Sequence, residues 1–107
     1  MSISNREAAT YVADKKEFKT SNGTIIGSHD IVANTYTVYS YGEHFPMYVF
    51  DYTLNEWWGN RDKYSRTTTR HQSIVRPSQI KGWTDTETMK HISRHGVIGS
   101  VAHKLAA

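Results

Sequence analysis

The sequence predicts an α+β fold with an N-terminal helix, a central antiparallel sheet of three or four strands, and a helical C-terminus. Three observations predict it. A capping-box signature, Ser4-Asn5-Arg6-Glu7, stands near the head of the chain. The middle alternates with period two, as in "NTYTVYSYG" from Asn34 to Gly42. The end returns to helical spacing, with Ile98, Val101, Ala102 and Leu105 at i, i+3, i+4 and i+7.

Each element has its own local cause. In the capping box Ser4 caps and Glu7 reaches back, while Ile3 and Ala8 occupy the staple positions. Ala8, Tyr11, Val12 and Phe18 follow at roughly helical spacing, which predicts a helix from about Asn5 to Lys16. Asn22-Gly23 is a turn signal, and "TIIGSHD" after it fits either a short strand or an ordered loop. In the next strand Tyr36, Val38 and Ser40 share one face, and Thr37, Tyr39 and Tyr41 the other. "PMYVFDY" predicts a second strand and "WWG" a third, joined by the turn residues of "DYTLNE". The preceding His44-Phe45-Pro46 predicts a fixed turn, with a cis bond among its options and a structural role for His44.

The segment "KYSRTTTRHQSIVRP", Lys63 to Pro77, is rich in β-branched and aromatic residues and predicts a fourth strand, broken or bulged. Short connections make an antiparallel meander the simplest topology. Thr84 to Glu87, "TDTE", is a second capping box that opens a helix through Met89 and Ile92 to about His95, where Gly96 stops it.

A chain of 107 residues predicts a single domain spanning 1–107. It has no cysteine, which excludes disulfides, thiolate metal sites and cysteine nucleophiles. No apolar run has the length of a membrane span, and the N-terminus lacks an apolar signal core. The expectation is a cytoplasmic protein that binds no membrane. The net charge of +3 is mild. It is concentrated, however: Arg61, Lys63, Arg66, Arg70 and Arg76 fall close together with Asp62 as the single acid among them.

Catalytic chemistry finds little support. His91 and His95 share a helix face, with His103 as the one nearby third ligand, but Lys90 and Arg94 beside them repel a cation. His71-x-Ser73 and His91-x-Ser93 form two H-x-S pairs of the kind one class of phosphoesterases uses. In a chain this rich in hydroxyls such pairs arise by chance. No nucleophile elbow, phosphate loop or paired carboxylate is present. We therefore expect no catalytic residue, no metal and no cofactor, with a His-dependent phosphoesterase or other hydrolase kept as an alternative.

Binding has the better physics. On a strand, Arg66, Thr68 and Arg70 share a face with Tyr64. Arginines suit phosphates, hydroxyls add short hydrogen bonds, and aromatic rings stack on bases. Trp57 and Trp58 point to opposite faces, so one belongs to the core and the other extends the platform. The candidate binding residues are Lys63, Tyr64, Arg66, Thr68, Arg70, His71, Arg76, Trp57 and Trp58. The competing reading is an edge strand kept soluble by its arginines.

Tyr36, Val38 to Gly42, His44 to Pro46, Trp57 or Trp58, Asn60, Asp62 to Ser65, Thr67, Thr68, Arg70, His71 and Ser73 form a pattern. It resembles the shared core of small uncharacterised proteins carried by bacteriophages and related mobile elements, with Thr69 where that family has serine. The resemblance covers about Tyr36 to Pro77. It implies a small accessory protein in the cytoplasm of a bacterial host, and no specific activity. The expected function is non-enzymatic nucleic-acid binding. The alternative is a protein–protein inhibitor of a host nucleoprotein or defence complex, by analogy with anti-CRISPR proteins. A homodimer is among the open oligomeric states.

Overall fold

The computed structural model describes residues 2–42 and 45–106, with Ser2 and residues 102–106 described in backbone only. His44 and the side chain of His103 lie outside what is described. The elements run β1 (Ser2–Ile3), α1 (Asn5–Ala13), β2 (Phe18–Thr20), β3 (Ile25–Asp30), β4 (Thr35–Ser40), β5 (Phe45–Asp51), β6 (Glu56–Asn60), α2 (Arg66–Val75), β7 (Gly82–Thr84) and α3 (Thr86–Ala106).

The α+β class and the helices at both ends agree with expectation, whereas the sheet is larger and mixed. It has seven strands in the order β1-β2-β3-β4-β5-β6-β7, with antiparallel pairs inside and parallel pairs at both edges. "TIIGSHD" is a strand, paired with β4 from Ile25↔Ser40 to Asp30↔Thr35. The three strands outside the expected meander are β1, β2 and β7. They are two or three residues long, too short to show a period.

The parallel edges arrange the helices. Strands β1 and β6 point the same way, and each crosses through a helix to the next strand in the same direction. Right-handed crossovers then put α1 and α2 on the same face of the sheet. That face holds the larger core, in which Ala8, Val12 and Val75 meet Ile25, Tyr36, Val38, Tyr48 and Phe50. The opposite face is covered by α3, whose Met89 and Ile92 pack on Val49 with Trp58 and Val97 beside them. Central strand β5 is buried along its whole length.

Helix α1 opens as its sequence dictates: Ser4 Oγ accepts the Glu7 N–H at 3.2 Å, and the Ser4 N–H donates to Glu7 Oε1 at 3.2 Å. It ends at Ala13, three residues early, because Lys15 takes a positive φ of 54° and Phe18 joins β2. Helix α3 is capped by Asp85 rather than Thr84, with Asp85 Oδ1 accepting the Thr88 N–H at 2.8 Å. Gly96 breaks it at φ 74°, and a second helical stretch follows. The Asp51 carboxylate caps that stretch through the Val97 N–H, and its other oxygen accepts the N–H groups of Thr53 and Leu54.

The main correction concerns Lys63 to Pro77, which is not a strand. Residues Arg66–Val75 form helix α2, capped by Ser65, whose Oγ accepts the Thr68 N–H at 3.1 Å. Its buried positions are Thr68, His71, Gln72 and Val75, at i, i+3, i+4 and i+7. Three of the four are polar, so the inward face carries no hydrophobic stripe. Among the described residues there is no cis peptide bond, so the cis option at Phe45-Pro46 is not taken.

Candidate nucleic-acid interface

The two motif halves meet where α2 lies on β4 and β5. Ser40 Oγ lies 2.9 Å from His71 Nδ1 and 3.2 Å from Thr68 Oγ1, and Ser65 Oγ donates to Thr68 Oγ1 at 3.2 Å. Hydroxyls and imidazole thus form one continuous chain, buried at Ser40, Thr68 and His71 and reaching the surface at Ser65. Burial pushes the His71 pKa below its ordinary value, and the neighbouring Arg70 guanidinium pushes the same way. His71 is therefore neutral near pH 7.

Beside it, Gln72 ties α2 to strands β5 and β6. Its amide donates to the Asn60 carbonyl at 3.0 Å and its backbone oxygen accepts the Tyr48 hydroxyl at 2.6 Å. Asn60 donates to the Pro46 carbonyl and to Thr86 Oγ1, and Asp62 Oδ2 accepts the Thr86 N–H and hydroxyl. Much of the motif is thus a polar clasp joining β4, β6, α2 and α3. Asn60, Asp62, Thr68, His71 and Gln72 all belong to it.

The predicted binding residues separate into two groups. Thr68 and His71 face inward, 0% and 3% exposed, and so do not form a solvent-facing surface. Lys63, Tyr64, Arg66 and Arg70 are exposed at the start and along the outer face of α2, and Arg76 is exposed at its end. Arg66 and Arg70 share a face, as expected, but through helical i, i+4 spacing rather than strand spacing.

Neither tryptophan supplies an exposed platform. Trp57 packs edge-on against Tyr36 and Phe50, with centroids 6.1 and 5.3 Å away, and Trp58 packs toward α3. The exposed tryptophan near this face is Trp83, which the Arg76 guanidinium overlies at 5.1 Å. Strands β6 and β7 each cover a glycine of the other with a tryptophan: Trp58 lies over Gly82, and Trp83 over Gly59.

Around the buried chain the surface opens into a cavity of about 480 Å³ lined by Ser40, Tyr41, Phe45, Tyr64, Ser65 and Thr67. Sequence reasoning placed only Tyr64 in the binding surface. The usable signal was the repeated Tyr-Ser dipeptide, Tyr39-Ser40 and Tyr64-Ser65, whose serines the fold brings to one wall.

The Ser40–His71 pair has the distance of a nucleophile and its base, but Ser40 is 0% exposed and shares its hydroxyl with Thr68. A serine so enclosed holds the helix in place rather than attacking a substrate. The other described histidines stand apart. His29 meets the Tyr52 hydroxyl at 3.1 Å, and His91 stacks on His95 at 6.2 Å between centroids. Among the described residues no three metal-ligating side chains come together, and no helix is long and apolar enough to cross a membrane.

Comparison with protein-family models, with curated proteins and with solved structures finds no match to this chain.

Proposed function

We propose that the outer face of α2 binds the phosphate backbone of a nucleic acid, with Lys63, Arg66, Arg70 and Arg76 as the charged contacts. One observation carries this. All four cations are exposed, α2 holds no acid, and among the described residues none of the four lies within ion-pair distance of a carboxylate.

That arrangement is poor for stability. Like charges at i, i+4 cost a helix a few tenths of a kcal/mol, and cations beside its N-terminus oppose the macrodipole. A phosphate chain reverses both signs, because it neutralises the arginines and favours the positive end of the helix. Such a role suits the small accessory protein in a bacterial cytoplasm that the family resemblance implies.

The test is fluorescence anisotropy with labelled single-stranded and duplex oligonucleotides over a salt series. Binding should weaken steeply with salt. The double variant Arg66→Ala/Arg70→Ala should lose at least about tenfold in affinity and flatten the logarithmic salt slope by roughly two. No binding by the wild type at about 50 mM salt overturns the proposal.

A second reading, contact with a host protein, is favoured by the β3–β4 tip. There Ile31 and Val32 are 92% and 96% exposed, an apolar pair that a phosphate backbone does not explain. If that tip is the functional surface, Ile31→Ser/Val32→Ser abolishes inhibition of the host complex while nucleic-acid binding stays intact.

A further inference from the structure

We infer that the cavity at the head of α2 receives an unstacked base, so the preferred ligand is a single strand rather than a duplex. This rests on the phosphate-binding reading of α2 and adds the chemistry that would select the strand.

The cavity has the size of a small-ligand site, about 480 Å³. Rings form much of its wall. Phe45, 4% exposed, lies at its base with the Tyr64 ring against it at 5.7 Å between centroids and 39° between planes. Tyr41 stands on the His71 ring at 5.8 Å. Both tyrosines keep a free surface, 70% exposed for Tyr64 and 42% for Tyr41. Flat π faces left open at a cavity mouth are stacking platforms, and they accept any base.

The polar groups of the wall fit the edge of a base. Ser65 Oγ already serves the Thr68 N–H, so the cap itself is satisfied. The N–H groups of Arg66 and Thr67, in the first turn of α2, have no intrahelical acceptor. They remain as donors for a base carbonyl or an adjoining phosphate. Lys63 and Arg66, exposed on either side of Tyr64 and Ser65, would hold the backbone on both sides of the inserted base.

Tyr41 supplies an independent sign. It adopts φ 57°, a left-handed conformation costly for a bulky aromatic residue. Of the other three non-glycine residues with positive φ, two are asparagines, Asn34 and Asn55, and the third is Lys15, which has no ring to place. Turn chemistry alone would favour Asn or Gly at this position as well, so the ring has a use that outweighs its strain. Charge complementarity chooses the occupant: an apolar peptide side chain would fill the cavity but leave Lys63, Arg66 and Arg70 unused.

The test measures anisotropy of oligothymidylate, of the same strand carrying one abasic site at each position in turn, and of a matched duplex. Tyr64→Ala and Tyr64→Phe are compared with the wild type. The tyrosine is exposed enough for both to fold, which circular dichroism checks. Expected are tighter binding of the single strand than of the duplex, and a loss of about tenfold when the inserted base is absent. Tyr64→Ala should lose a similar factor on oligothymidylate, keep its salt slope, and no longer sense the missing base, while Tyr64→Phe retains binding. If duplex and single strand bind alike with a steep salt slope and Tyr64→Ala changes nothing, the base pocket is wrong and the phosphate surface stands. If nothing binds at low salt, both fall.

Discussion

The Ser40 hydroxyl and Nδ1 of His71 lie 2.9 Å apart, bridging strand β4 to helix α2 through a hydrogen bond sealed from solvent. The pair joins two sequence segments some thirty residues apart and fixes how α2 presents its arginines. Its imidazole must stay neutral to serve, because a buried imidazolium beside Arg70 would be penalised twice.

This gives stability a defined pH dependence. The folded pKa of His71 is lowered from 6.5, so below 6.5 the unfolded chain takes up a proton that the folded chain refuses. The contribution is complete above 6.5 and is lost as pH falls through that value toward the lowered folded pKa. Urea denaturation between about pH 7 and 5 should show a falling midpoint, and His71→Asn should flatten that fall. A wild type that gains stability on acidification, with no difference from the variant, contradicts the neutral pair.

Asp51 should be among the most costly polar positions to change. Only 2% exposed, it accepts the N–H groups of Thr53 at 2.8 Å, Leu54 at 3.2 Å and Val97 at 2.8 Å, holding the β5–β6 turn and restarting α3 after Gly96. Asp51→Ala strands three donors and should cost about 3–5 kcal/mol. Asp51→Asn, which keeps one acceptor oxygen, should cost roughly half of that. Equal, small losses in the two variants would show that water replaces the carboxylate.

The reciprocal glycines should differ in their tolerance. A Cβ at Gly82 would stand 2.5 Å from the Trp58 ring, and one at Gly59 would stand 2.6 Å from the Trp83 ring. Trp58 is wedged against the α3 core, whereas Trp83 is 39% exposed and can swing outward. Gly82→Ala should therefore cost about 2–3 kcal/mol and Gly59→Ala about 1 kcal/mol. Denaturation midpoints read the order, and Trp83 fluorescence should shift in the Gly59 variant.

How much of this was legible depends on what marks each element. Ser4 with Glu7, Asn22 with Gly23, and Gly96 are local signals whose physics is complete within a few residues, and all act as their chemistry predicts. The short strands β1, β2 and β7 are two or three residues long, and crossover geometry rather than pattern places them. Helix α2 was misread for a sharper reason. Its threonines, Ile74 and Val75 favour strands, and its inward face is Thr68, His71 and Gln72, so hydrophobic periodicity reports nothing. The partners that make those polar residues acceptable inside are Ser40, Asn60 and Asp62, on other segments. Ser65 three residues before Thr68 was the available local sign of a cap. Arg66 and Arg70 were still paired correctly because a spacing of four places residues together on both a strand and a helix.

Tyr41 offers the test that separates stability from use. Its φ of 57° strains a bulky residue by about 1 kcal/mol or more, and Asn or Gly would relieve it. The ring's packing on His71 works in the opposite direction, but with 42% of the residue exposed that contribution is partial. Tyr41→Asn should therefore leave the denaturation midpoint nearly unchanged, within about 0.5 kcal/mol, because strain relief offsets lost contact. Binding of oligothymidylate should meanwhile drop by several-fold, since one wall of the cavity is gone. A loss of stability beyond about 1.5 kcal/mol with unchanged binding would mean that the ring serves only to cover His71. Unchanged stability with weakened binding would mean that the strained backbone is kept for the ligand's sake.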